Sequence, residues 1–189
     1  MTIALTRSLV VERAEEYIEE EPLYPVEGEA IETLPEAFTE GEFGWRDAEW
    51  VVQWYYRRYL GAYPQDRQRA GEKRFADNER SATREAVIDA ANAGTLDERV
   101  GRLTELSGVD TCVASAFLQF IDPDRYVVVD ERTWTVLREA DELNEPYPGK
   151  PSVEEYRRFL EACRGVADEH DVGCWTLYRA LWRLGNDTR

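Results

Sequence analysis

Apolar residues recur at spacings of three and four along most of this 189-residue chain, and this limits the fold more than any other feature. Such spacing is the period of one face of an α-helix. It predicts helices at about 8–20, 47–60, 81–93, 96–106, 111–121, 131–139, 152–169 and 174–184, and hence an all-α chain. Asp47, Ser81, Thr95 and Ser152 stand where N-caps belong, and Gly61 and Gly94 follow helical runs. The one strong extended signal, Tyr126 to Val129, is too short and isolated to imply a sheet. There is no internal repeat and no low-complexity tract.

Charge adds a second constraint. The chain carries 39 acids against 23 basic residues, a net charge of −16, yet 43% of it is hydrophobic and it holds six Trp. That is enough apolar matter for a packed interior, which excludes a disordered chain and assigns the charge to a folded surface. Only Lys73 and Lys150 are lysines. An acidic, lysine-poor composition of this kind looks like a halophile's, and near molar salt a Debye length of about 3 Å leaves a polyanionic partner admissible. No apolar run reaches the roughly 18 residues of a membrane span, so no membrane role is expected. Three cysteines, Cys112, Cys163 and Cys174, form no closed disulfide set and suit a reducing cytoplasm.

The charge is unevenly spread. Residues 11–49 hold fourteen acids against Arg13 and Arg46, with Pro22, Pro25 and Pro35 punctuating the run. Residues 57–84 invert the sign, with eight basic residues against four acids. The chain therefore divides into an acidic N-terminal helix and arm over 1–45 and a helical domain over 46–189.

The richest stretch runs from Glu98 to Leu137. Leu103 and Leu106 close one short helix, Ser107-Gly108-Val109-Asp110 form a tight link, and Thr111 opens a second helix in which Ala114, Ser115 and Ala116 permit close packing. This is a helix-hairpin-helix pattern. A glycine in the link allows close approach to a phosphate, and the unpaired amides at the start of the second helix can hold an anion. The run Tyr126 to Val129 then delivers Asp130 to the start of another helix.

The assembly Leu-x-x-Leu-Ser-Gly-Val-x-x-x-x-Ala-Ser, followed by Pro-x-x-Tyr-Val-Val-Val-Asp, resembles the helix-hairpin-helix DNA glycosylase superfamily of the endonuclease III and oxoguanine glycosylase type. Trp50, Trp54, Arg57, Arg58, Asn78 and the closing Leu177 to Trp182 extend the likeness toward a branch of glycosylase-like proteins with Trp-Arg and Ala-Leu-Trp signatures. The resemblance implies an all-α glycosylase fold, DNA as partner, Asp130 as the essential carboxylate, and Gly108, Val109 and Thr111 in the phosphate-facing hairpin. Arg57, Arg58 and Arg74 become candidate backbone contacts, and Cys112, Trp134 and Trp54 candidates for the substrate pocket. The sequence departs from the family twice. Cys112, eighteen residues before Asp130, stands where a Schiff-base lysine is common. Asp110 stands where a second glycine is usual. The first departure implies a monofunctional enzyme, and the second opposes a phosphate.

Plain readings stand beside these. Asp130 serves equally as an N-cap, and an amphipathic helix needs Val51, Trp54, Tyr55 and Tyr59 on its buried face even though aromatics beside arginines can stack bases. A carboxylate near Cys112 opposes a thiolate. Cys163, His170 and Cys174 lack a fourth metal ligand, and three cysteines cannot hold an iron–sulfur cluster, so neither metal nor cofactor is expected. Two functions remain open: a monofunctional base-excising enzyme, and a non-catalytic helix-hairpin-helix module that binds nucleic acid or a protein partner.

Overall fold

The helix that Thr111 opens is apolar on nearly every side, so it has to be enclosed, and the core is built around it. In the computed structural model, which describes residues 3–187 apart from the side chain of Asp187, the helices are α1 (Arg7–Glu20), α2 (Tyr24–Glu40), α3 (Trp45–Arg57), α4 (Gln65–Ala76), α5 (Arg80–Asn92), α6 (Leu96–Thr104), α7 (Thr111–Ile121), α8 (Glu131–Glu139), α9 (Val153–Glu169) and α10 (Cys174–Asp187). No strand occurs among the described residues, and no helix there is long and apolar enough to cross a membrane. Residues 112–121 of α7 are all buried, with α2, α3, α5 and α6 packed around them. A second group forms on α10, which takes α1, α8 and α9 against its sides.

The extended run finds its hydrogen bonds on helices. Gln119 Oε1 accepts from the Val128 amide at 3.1 Å, and Ser115 Oγ from that of Val129 at 3.0 Å. The Val127 carbonyl accepts from Tyr156 Oη at 3.2 Å, and that of Val128 from Thr133 Oγ1 at 3.2 Å. A buried backbone must satisfy its polar groups somewhere. Two polar side chains on an otherwise apolar α7 do this for the segment that carries Asp130.

Two helices were not expected. α2 occupies the acidic segment: Pro25 falls in its first turn, where the missing amide costs nothing, and Ala30, Leu34 and Phe38 are buried as it packs on α7 and α5. Pro35 lies inside it, a position that forfeits one helical hydrogen bond. α4 is polar nearly throughout, with only Gly71 and Phe75 buried, so periodicity gave no signal. Two caps also differ. Asp47 is the third residue of α3, reaching back to accept from the Gly44 amide at 2.8 Å, and Ser81 lies within α5. Thr95 and Ser152 cap α6 and α9 as expected, each in a capping box.

Candidate nucleic-acid interface

The hairpin forms between α6 and α7 and is fastened to the end of α4. Asn78 holds it from both sides, its Oδ1 accepting from the Ser107 amide and its Nδ2 donating to the Ser107 carbonyl, each at 2.9 Å. Gly108 has φ of 81°, and a Cβ built on it would lie 2.8 Å from both the Gly71 carbonyl oxygen and the Phe75 nitrogen. Its bare Cα is thus used by the α4 backbone, which requires a glycine at this position on its own account. The expectation of a phosphate-facing Val109 is corrected: it is buried, and its amide donates to the Leu106 carbonyl at 3.2 Å. Thr111 remains at the helix start, partly exposed, behind Asp110, whose Oδ1 caps the Val113 amide at 3.0 Å.

Asp130 caps α8. Its Oδ1 accepts from the amides of Arg132 at 2.8 Å and Thr133 at 2.9 Å, while Thr133 Oγ1 accepts from the Asp130 amide at 3.2 Å. The other oxygen meets Arg58: Nη2 and Oδ2 are 2.7 Å apart, with the two side chains only 1% and 2% exposed. Arg58 is itself fixed, donating from Nε to the Tyr55 carbonyl at 3.0 Å and from Nη1 to Tyr178 Oη at 2.9 Å. Its guanidinium lies 5.1 Å from the Trp54 ring, 4.8 Å from Tyr55 and 4.6 Å from Trp182. Arg58 therefore cannot be a DNA backbone contact. It sits at the C-terminal end of α3, turned inward to neutralise a buried carboxylate while aromatic faces cover its plane.

Trp54 is corrected for a related reason. It is buried beneath Arg58, and its Nε1 donates to Glu27 Oε1 at 2.6 Å, so it lines no pocket near the hairpin. Glu27 also accepts from Tyr17 Oη, at 2.8 and 3.0 Å to its two oxygens. Burial pushes the Glu27 carboxyl above its ordinary range, and the Trp54 and Tyr17 donors pull the other way. Trp134 is buried as well, donating from Nε1 to the Glu145 carbonyl at 2.9 Å and lying edge-on behind Tyr147. Arg57 is exposed and pairs with Glu72 at 3.4 Å, tying α3 to α4.

Cys112, Asp130 and Arg74 come together at one cavity of about 850 Å³ between the hairpin, the end of α3, α4 and the 147–150 loop. Tyr55, Tyr56, Tyr59, Tyr63 and Tyr147 line it, with Arg67, Arg74 and Lys150 facing Asp66, Asp110 and Glu131. Burial, and after it the charge of Asp110, push the Cys112 thiol up to about 12; its Sγ is 3.4 Å from Tyr147 Oη. Burial raises the Tyr55, Tyr56, Tyr59, Tyr63 and Tyr147 phenols too. The tyrosines and Cys112 thus give the wall neutral hydroxyls and a neutral thiol between its charged groups. Tyr147 and Lys150 were missed by sequence reasoning. The run Pro146-Tyr147-Pro148-Gly149-Lys150-Pro151 was the available signal, since it presents a ring and an ammonium on a stiff loop.

No family model and no curated protein matches the chain. Among solved structures, it is similar to the Methanocaldococcus jannaschii 8-oxoguanine glycosylase/lyase in complex with 15mer DNA containing 8-oxoguanine, with a TM-score of 0.50 and 16% sequence identity over 92% of this chain and 95% of that one. The likeness is one of fold: this all-α chain is built like a DNA glycosylase.

Proposed function

We propose that the protein binds nucleic acid beside the hairpin and receives an unstacked nucleotide in the tyrosine-lined cavity, without a base-release step. The observation that carries this reading is the cavity wall: five tyrosines together with Arg67, Arg74 and Lys150. Its volume of about 850 Å³ falls within the roughly 300–1,000 Å³ typical of small-molecule sites, and aromatic rings hold an extruded base by stacking worth about 1–3 kcal/mol each. The relative of the same fold was solved with a lesion-containing DNA, which agrees with this partner.

The chemistry of excision is poorly provided for. Oδ1 of Asp130 is spent on α8, and Oδ2 is buried with Arg58 against it. A carboxylate so neutralised offers a developing sugar cation little net charge. Cys112 carries no amine and stays a thiol. A second reading, hydrolytic excision assisted by Asp130 with no Schiff base at Cys112, is favoured by one observation: Asp130 borders the same cavity.

The two readings part in one experiment. A duplex carrying 2-aminopurine opposite a tetrahydrofuran abasic analogue, which alkali does not cleave, is titrated with the protein, and the same mixtures, along with a panel of damaged and mismatched duplexes, are treated with alkali. Saturable change in 2-aminopurine emission, lost in a Tyr59→Ala, Tyr147→Ala double variant, with no alkali-labile strand, supports the binding module. Protein-dependent abasic sites on any duplex move the assignment to the enzyme. Unchanged emission at all concentrations rejects insertion into the cavity.

A further inference from the structure

A cluster of arginines lies away from this cavity, around Tyr126. The guanidinium carbons of Arg99, Arg125 and Arg164 are 5.7, 5.8 and 5.5 Å from the one Tyr126 ring centroid. Arg125, Arg157 and Arg164 line a recess of about 240 Å³ whose other walls include Leu96, Leu160 and a single acid, Glu161. Gathering like charges is costly in any protein, and in one of net charge −16 it runs against the average of the surface.

The arginines are unequally committed. Arg99 donates to the carbonyls of Ala90 and Ala91 at the end of α5, at 3.0 Å each. Arg157 pairs with Glu154 and Asp97, both carboxylates well exposed, and pairs of that kind contribute little. Arg125 is 60% exposed and lies 4.0 Å from Asp122. Arg164 differs: its Nε and Nη2 clamp the Arg125 carbonyl at 3.0 and 2.7 Å, and among the described residues it has no ion-pair partner. That clamp fixes the plane of a partly buried guanidinium at the recess, and a pre-organised fork without a carboxylate is suited to a tetrahedral oxyanion.

We infer that this recess, formed by Arg125, Arg157 and Arg164, is a phosphate-binding site separate from the tyrosine-lined cavity. Its ligand is a phosphoryl group, carried by a small molecule or by a nucleic-acid backbone. Bound phosphate displaces Arg157 from its exposed acids and takes the remaining Nη donors of Arg164, with Arg125 closing from the loop.

Inorganic phosphate and an unphosphorylated dT 12-mer are the two probes, titrated into the full chain at constant ionic strength with chloride as reference, followed by amide chemical shifts and by Tm. Saturable shifts at residues 125, 157 and 164 with phosphate, weakened at least five-fold in Arg125→Gln and in Arg164→Gln, support a small-anion site. The same residues responding to the 12-mer, with a shallower salt dependence in both variants, support a backbone-phosphate site. Arg125→Gln guards against misfolding, since only the main-chain carbonyl of Arg125 holds the clamp. No saturable response to either probe, or an equal response in both variants, overturns the inference.

Discussion

The starts of α7 and α8 carry the same device and use it to opposite ends. Each opens on an aspartate whose Oδ1 caps the first turn, and each aspartate borders the same cavity. Asp110 is exposed; Asp130 is 1% exposed. What separates them is the second carboxylate oxygen. At Asp130 it meets Arg58 in a shell of aromatic rings, so the charge has a buried countercharge and the pair fixes α3 to α8. Both charges are felt in the cavity: that of Asp110 helps hold Tyr56, Tyr63 and Cys112 in their neutral forms, and that of Asp130 acts on Tyr55, Tyr59, Cys112 and Tyr147, where Arg58 opposes it at Tyr55 and Tyr59. A cap of about 1 kcal/mol explains either residue locally, and only the environment of the second oxygen distinguishes a structural acid from one that acts on a ligand.

The largest expected effect breaks the comparison at its buried end. Asp130→Asn keeps a good cap but removes the countercharge of Arg58, and stranding a buried charge costs about 3–5 kcal/mol. Urea denaturation should show that loss, whereas Asp110→Asn should cost well under 1 kcal/mol. Replacing both members, Arg58→Met with Asp130→Asn, should recover more than half of the loss through removal of the orphan. A double variant as unstable as the sum of its singles would show that the pair is not the unit.

A second effect sharpens the same contrast through pH. The buried phenols and the Cys112 thiol have folded-state values above their ordinary ones, which for an acid that is neutral when protonated gives stability present below the unfolded pKa and lost as pH rises through the folded one. For Cys112 the window runs from about 8.5 in the unfolded chain to about 12 when folded. Stability should therefore fall steadily above about pH 9, and Cys112→Ala should flatten part of that fall. Tm measured from pH 7 to 11 tests this; a level profile would contradict it.

How much of this was legible in sequence depends on what kind of signal each part leaves. α7 to α10 and the hairpin announce themselves through periodicity, and Asp130 through its place after an extended run. α4 leaves no apolar stripe, because it meets the core through the flat side of Gly71 and one ring, Phe75. α2 was hidden by its prolines and acids, although Pro25 stands where a helix accepts proline. The inward turn of Arg58 was unreadable: Arg57 and Arg58 are adjacent and alike, and only the packing of α3 decides that one pairs on the surface with Glu72 while the other is sealed against Asp130. Tyr147 and Lys150 reach the cavity from a loop, where no periodicity exists to read.

Within the cavity, cations should matter more than the open acid. If nucleic acid is held there, Arg74→Gln and Lys150→Gln should each weaken oligonucleotide binding by about five-fold at 0.1 M salt and reduce the salt slope by roughly one, the signature of a lost phosphate contact. Arg57→Gln serves as the control, being exposed but engaged with Glu72 outside the cavity. Equal losses in all three would mean a diffuse electrostatic effect rather than a site.

The smallest effect concerns Asp110 itself. Asn caps a helix about as well as Asp, so Asp110→Asn leaves α7 in place and removes one negative charge from the stretch where the amides of Thr111 and Cys112 start the helix without partners in it. A like charge across a few ångströms of partly wetted protein is worth about 1 kcal/mol at low salt and is screened as salt rises. Binding of an oligonucleotide should therefore tighten by about two- to five-fold at 50 mM salt, with the gain fading near 1 M. The same substitution at Asp130 gives no such clean reading, because it strands the charge of Arg58 and costs stability at the same time. An Asp110→Asn variant that binds more weakly than wild type would show that the open carboxylate grips the ligand, through an exocyclic amine of the inserted base, and would turn the acid at the hairpin from an obstacle into a specificity element.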